Sequence, residues 1–430
     1  MSHPLRSVFL AVAACLIDCA WLAAQDAQTF YDQGYEWNAK GDYDRAIADL
    51  NEALRLNPYH ARAYVERSFA YNMKGEYEQA LADAEQAVRL DPGNDAAFNN
   101  RGFARLEKGE YDQAIVDFNQ AVRINAADIA AHNNLANAWN YKGDYDKAIA
   151  SADNALRFNP RYADAYGNRA YAWSKKGNYD RAIADYTQAL RLKPNSAYDH
   201  NERGFAWMQK EAFDRAIEDF SEALRIDPKY TIAYSNRSWA WESKGDYDKA
   251  ISDADEALKL NPEFSLAYNN RGFAWLEKGE LDKALADFDR AVQTDDKNGL
   301  AYINRGVTHR RRGEYAPALA DYQQALAIDP QNASAHQALA WLQATCPDEQ
   351  FRDGKAAFAS ATQAYRLASG RYASHYDTLA AAYAENGDFT HAREWEVKAI
   401  AREKSEKKKG QYTARLELYR QQQPYRNGEK

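Results

Sequence analysis

Small and apolar residues recur along this chain with a period of 34 residues. Numbering each copy from Ala27, alanine occupies position 20 in nine successive copies (46, 80, 114, 148, 182, 216, 250, 284 and 318). It occupies position 27 in the same nine, from Ala53 to Ala325. Position 8 admits only Gly, Ala or Ser, and Trp stands at position 11 in six copies. The seven-residue spacing of the two alanines is two helical turns, so they share one face. Gly at position 15 in eight copies supplies a left-handed residue for a tight turn. Pro at 58, 92, 160, 194, 228, 262 and 330 stops a second helix. Each copy therefore predicts helix, turn, helix, and nine copies run through residues 27–332 without an insertion. Glu211 once replaces the turn glycine, which predicts the least regular turn there.

Residues 99–118 (NNRGFARLEKGEYDQAIVDF) show one copy in full. Its length and its order of small, aromatic and Gly positions resemble the tetratricopeptide repeat, or TPR. The resemblance implies an all-α fold, an α-solenoid built as a right-handed superhelix of antiparallel helix pairs. Residues 333–372 read as a divergent repeat with a longer inter-helix loop, and 373–406 as a further repeat. Residues 407–430 read as a capping helix and tail, with Tyr412, Leu416 and Tyr419 on one apolar face. The segment 344–354 (ATCPDEQFRDG) resembles the C-terminal end of many bacterial TPR proteins.

Residues 1–24 read differently. A short basic start precedes the ten-residue apolar run Val8 to Ile17, which predicts a secretory signal. Cleavage after Ala24 is one expectation; lipidation at Cys15, which would tether the chain to a membrane, is the other. Either makes the protein extracytoplasmic, periplasmic or secreted, in a bacterium. No charge-free apolar run reaches 18 residues, which excludes a polytopic membrane protein. Cys346 is the one cysteine outside the leader, so a cleaved product has no internal disulfide. The net charge of −8 argues against nucleic acid as a partner.

Catalytic chemistry has little to work with. The His residues are scattered, with no HExxH, no phosphate-binding Gly loop and no Gly-x-Ser-x-Gly. The sequence therefore suggests no metal, no cofactor and no enzyme. One charged pair does recur. Position 7 is Arg in seven copies and position 23 is Asp in eight, and the fourth copy lacks both, with Leu135 and Ser151. That joint loss predicts an Arg–Asp clasp between the two helices of a repeat.

The first helices carry the candidate site. Position 6 holds Asn100, Asn134, Asn168, Asn236, Asn270 and Asn304, and position 5 adds Asn99, Asn133, Asn201 and Asn269. Position 9 adds rings, among them Phe103, Tyr171, Phe205, Trp239 and Phe273. A primary amide offers both donor and acceptor, so a row of them suits a polypeptide backbone of any sequence. The row resembles the asparagine ladder of the TPR superhelix in O-GlcNAc transferases, which holds extended peptides. Asp32, Glu66 and Glu202 interrupt it. The expected function is a scaffold binding a protein or peptide segment in the concave groove. The alternatives are a polysaccharide-handling or secretion accessory and a structural spacer. The charged last helix predicts a capped monomer.

Overall fold

The computed structural model describes residues 25–427; the leader lies outside them. Contacts divide the chain after Glu211 into two units. The first contains α1 (25–40), α2 (Tyr43–Leu56), α3 (Ala61–Lys74), α4 (Tyr77–Leu90), α5 (Asp95–Glu107), α6 (Tyr111–Ile124), α7 (Ile129–Lys142), α8 (Tyr145–Phe158), α9 (Ala163–Lys175), α10 (Tyr179–Leu192) and α11 (Ala197–Gln209). The second contains α12 (Phe213–Ile226), α13 (Thr231–Lys244), α14 (Tyr247–Leu260), α15 (Ser265–Glu277), α16 (Leu281–Thr294), α17 (Gly299–Arg311) and α18 (Tyr315–Ile328). It continues with α19 (Ala333–Thr345), a 3-10 turn at Glu349–Phe351, α20 (Gly354–Leu367), α21 (Ala373–Glu385), α22 (Phe389–Arg402) and α23 (Glu406–Arg420). No strand occurs among the described residues, so the fold is an all-α TPR-type solenoid of helix pairs.

The helix ends follow local chemistry. Asn94 caps α5 by accepting from the Ala97 N–H, and Asp128 caps α7 by accepting from Ala131. The turn glycines sit at φ of +75° to +81°. Glu211 takes φ +58°, in the same left-handed region but the furthest of the nine turn positions from the glycine values.

Every alanine at positions 20 and 27 is fully buried. Position 8 is small for a reason that varies with its partner at position 24. A Cβ on Gly102 would lie 2.7 Å from the Phe118 ring, and one on Gly306 would lie 2.6 Å from Tyr322. Position 24 is alanine at Ala84, Ala152 and Ala254; opposite the first and last stand Ser68 and Ser238, and opposite Ala152 stands Ala136. The two serine hydroxyls donate to the Ala80 and Ala250 carbonyls at 2.9 and 2.7 Å. The glycines thus make room for a ring, and the two serines close on a carbonyl where no ring is present.

Six Arg–Asp clasps each lie within a single unit. Arg67, Arg101, Arg169, Arg237, Arg271 and Arg305 each donate two hydrogen bonds to the aspartate 16 residues on, at 2.6–3.0 Å. In several the remaining guanidinium nitrogen reaches back to the preceding repeat, as Arg271 does to Asp255 at 2.6 Å. A second ion-pair series, between residues 30 apart, also joins successive repeats, from Lys74–Asp44 to Arg312–Asp282.

The C-terminal end has its own bonds. Cys346 is buried beside Tyr322 and Leu342. Tyr412, Leu416 and Tyr419 on α23 are buried, and Arg415 between them donates to both Asp377 oxygens at 2.7 and 3.1 Å. Glu396, fully buried on α22, lies 3.6 Å from the same guanidinium.

Candidate functional site

In the first unit the faces of α3, α5, α7 and α9, with the start of α11, enclose a groove of about 660 Å³. Seven asparagines line it: Asn72, Asn99, Asn100, Asn133, Asn134, Asn137 and Asn168. They converge because positions 5, 6, 9 and 12 fall on one helical face and the 34-residue frame repeats that face from helix to helix.

The amides are polarised by one another. Asn134 Nδ2 donates to Asn99 Oδ1 at 3.0 Å, and Asn168 Nδ2 donates to Asn133 Oδ1 at 2.9 Å. Asn100 Nδ2 donates to the Val65 carbonyl and Asn72 Nδ2 to the Asn100 carbonyl, both at 2.9 Å. A donating amide keeps its carbonyl oxygen for other use, and an accepting amide keeps its NH2. Donors therefore remain on Asn99 and Asn133, and acceptors on Asn100, Asn134 and Asn168. Asn137 makes no hydrogen bond within the described residues and offers both. The stitches between helices hold this alternation in place without a ligand.

The two ends of the groove differ. Phe69, Met73 and Phe103 stand at one end; Phe69 and Met73 are 37% and 49% exposed. Tyr162, Tyr198, Lys193, Asp164 and Asp199 line the other. Lys193 pairs with Asp164 at 3.2 Å. Burial pushes the Asp199 carboxyl above its ordinary value.

The expected site residues thus separate into groups. Asn99, Asn100, Phe103, Asn133, Asn134 and Asn168 come together in this groove. Tyr171 is half-buried, with Lys175 over its ring at 5.1 Å. Asn201 is almost fully buried and donates to Glu202, whose carboxyl is raised by burial. Phe205 is half-buried on α11. In the second unit Asn236 and Trp239 lie on α13, Asn269, Asn270 and Phe273 on α15, and Asn304 on α17. There Asn270 donates to the Ser235 carbonyl and Asn304 to Asn269 Oδ1, both at 2.9 Å. Phe273 packs on Leu276 and Phe288.

Asn137, Met73, Tyr162 and Lys193 were not among the expected residues. Asn137 stands where most copies have a ring, so a search for rings passes over it. Tyr162 and Lys193 come from the connection between repeats, where the pattern of the helices carries no information. Among the described residues no cluster of potential metal ligands occurs, and no helix is long and apolar enough to cross a membrane.

Comparison with known proteins follows the same frame. Models described as tetratricopeptide repeat match residues 31–95, 163–196, 197–230, 242–299, 299–332 and 373–404, and one described as TPR repeat matches 104–140. No curated protein matches the chain. Among solved structures, the APC/C hetero-tetramer Cut9–Hcn1 is 14% identical over 94% of this chain and 98% of its own, with a TM-score of 0.53. Yeast Tom70 is 16% identical over 92% and 96%, with a TM-score of 0.47. A tetratricopeptide repeat protein from Parabacteroides merdae is 20% identical over 58% and 98%, with a TM-score of 0.45. At these identities the Cut9–Hcn1 likeness speaks for the fold.

Proposed function

The chain belongs to the tetratricopeptide repeat family, and from that membership we propose a non-enzymatic protein-interaction scaffold whose first unit holds an extended peptide segment. The observation that carries the reading is the alternation of unspent donors and acceptors along the amide groove. An extended backbone presents N–H and C=O groups in alternation, so it can engage such a row whatever its side chains. The stitches between the helices set the amides beforehand, which lowers the ordering cost of binding. Export completes the proposal: the leader at 1–24 would place the groove outside the cytoplasm, which cell fractionation tests.

A peptide array probed with the purified chain is the direct experiment. Captured peptides should lose affinity when alternate backbone nitrogens are N-methylated. Asn137→Ala should weaken capture several-fold without lowering the melting temperature, because no helix–helix bond passes through that side chain. Asn134 and Asn168 are poorer probes, since each also stitches two helices. Affinity indifferent to both N-methylation and Asn137→Ala would sink the reading, and capture of glycans in place of peptides would replace it with the polysaccharide alternative.

A further inference from the structure

The first helix of each regular repeat has its last turn closed by the residue at position 15. Its backbone N–H donates to the position-12 carbonyl, as Gly75 does to Asn72 at 3.1 Å and Gly245 to Glu242 at 2.8 Å. In α19 the connection 346–353 replaces that tight turn. The Asp353 N–H takes the Gln343 carbonyl at 3.0 Å, but no backbone donor of the connection reaches the carbonyls of Ala344 and Thr345. Carbonyls at a helix C-terminus need partners from elsewhere.

The end of the chain supplies them. After α23, Gln422 takes φ +58° and the following residues fold back without regular structure. The Asn427 N–H donates to the Thr345 carbonyl at 2.8 Å. The Arg426 guanidinium donates to the Ala344 carbonyl at 3.3 Å and pairs with Glu385 at 2.6 Å. The Tyr425 ring lies against Trp341, with centroids 5.9 Å apart. A ring on a ring, a cation on a carboxylate and a backbone N–H on a carbonyl are the contacts a separate peptide would make.

The cap does not depend on these residues. Tyr412, Leu416 and Tyr419 are buried on α23 itself, and Arg415 holds Asp377. Pro424 to Asn427 are only half-buried. Glu385 is also paired with Arg352 at 3.2 Å, so it keeps a cation if Arg426 leaves. Departure therefore strands no buried charge. Trp341 also lines a cavity of about 310 Å³ together with Ile303, Val307 and Ala338, so the vacated face runs on into apolar surface.

We propose that Tyr425 to Asn427 form an autoinhibitory strap. They occupy a docking site on α19 and α21 for a partner-protein segment in which an aromatic residue precedes a basic one, and they must leave before that segment binds. Trp341 receives the ring, Glu385 the cation, and the Ala344 and Thr345 carbonyls the remaining donors. Strap and site belong to one chain, so they meet at high effective concentration and the site is open for a small fraction of the time. None of these residues lines the amide groove of the first unit, and the two readings stand or fall separately.

The test uses the full chain and saturation-transfer NMR, which reads weak binding. The probe is acetyl-Gln-Pro-Tyr-Arg-Asn amide, a copy of residues 423–427, and the control peptide has Ala in place of its Tyr and Arg. Tyr425→Ala combined with Arg426→Ala should bind the probe about tenfold more tightly than wild type, because the site stands open. In that background Glu385→Gln should weaken the probe several-fold. Arg426→Ala alone keeps the Tyr425 packing and should give a smaller gain, which keeps the test valid if the double variant melts early by circular dichroism. Equal affinity of wild type and released chain, binding to neither, or equal binding of the control peptide would overturn the strap. A wild-type dimer in light scattering that the double variant lacks would assign the tail to a second copy and overturn it too.

Discussion

In six repeats the position-7 arginine meets its aspartate while its own side chain stays 18–24% exposed. Under the last helix, Arg415 meets Asp377 with the two side chains only 10% and 7% exposed, and Glu396 beside them has no exposure at all. The groups are the same but their access to water differs. A repeat clasp buries its aspartate under an arginine that solvent still reaches and that, in several repeats, also meets a second, exposed carboxylate, whereas the C-terminal cluster sets one guanidinium against two carboxylates that are both away from water. Trp341, Tyr412 and Tyr425 close over Arg415 with ring centroids 5.0–5.2 Å from it. Burial, and then the nearby Asp377, push the Glu396 carboxyl well above its ordinary value, while Arg415 pulls it down. The cluster is close to neutral when Glu396 keeps its proton. A motif copied many times tolerates water; this single-copy cluster depends on excluding it.

Removing the arginine from each region should separate them most. Arg415→Met strands buried carboxylates and should cost about 3–5 kcal/mol. Hydrogen exchange in α21 and α23 would show the loss. Arg271→Met leaves Asp287, buried beneath an arginine that solvent already reaches, to be rehydrated from that side and should cost about 1–2 kcal/mol, read from α15 and α16. Equal losses would break the comparison.

Titration sharpens it next. A carboxyl whose folded value is raised gives the fold stability that is complete below the unfolded value, about 4.3 for Glu. That stability is lost as pH rises through the folded value. Protection of α23 should therefore fall as pH rises from about 4.3. Glu396→Gln should flatten the fall by up to about 1.4 kcal/mol per pH unit. Asp83 and Asp287 in the clasps are also raised by burial, against the pull of their arginines. Their slopes are common to wild type and variant and cancel in the difference. An α23 slope identical in the two proteins would show that Glu396 carries no proton there.

The same contrast explains what could be read from the sequence. The helix pairs, the buried alanines and the Arg–Asp clasp were legible because each was written many times in one frame, and a joint exception at Leu135 and Ser151 exposed the coupling. The ion pairs 30 residues apart were equally legible as recurrence, a basic residue at position 14 and an acidic one at position 18 in copy after copy, though they join different helices and need one copy compared with the next. The amide row was visible as a row. Its polarity was not, because which amide donates depends on distances between helices. Asp377, Glu396 and Arg415 occur once each, on three helices, and nothing in the pattern joins them before the chain is folded.

A double-mutant cycle tests whether a clasp is more than two surface charges. Arg271→Leu and Asp287→Leu, made singly and together, should give a coupling of about 1 kcal/mol, measured by denaturant unfolding. The Arg271 contact to Asp255 of the preceding repeat survives Asp287→Leu, so part of the arginine's effect should persist in that background. Purely additive effects would reduce the clasps to solvated charges and leave the C-terminal cluster as the one energetic ion site of the two.

The smallest expected effect concerns a single-copy departure inside a recurring element. Eight turns place glycine at position 15, and Glu211 takes the same left-handed conformation at φ +58°. A side chain there brings its Cβ toward the backbone carbonyl, a cost that glycine avoids. Glu211→Gly should then raise stability by about 0.5–1 kcal/mol, seen as a higher urea midpoint at an unchanged slope. Glycine also loosens the unfolded chain, which offsets part of the gain. Glu211→Asn separates the two terms, because asparagine tolerates the left-handed region and keeps a side chain. A gain with Asn equal to that with Gly assigns the effect to strain in the turn. No gain with either would mean that a single-copy departure can enter the frame without strain, and burial alone would then distinguish the cluster from the clasps.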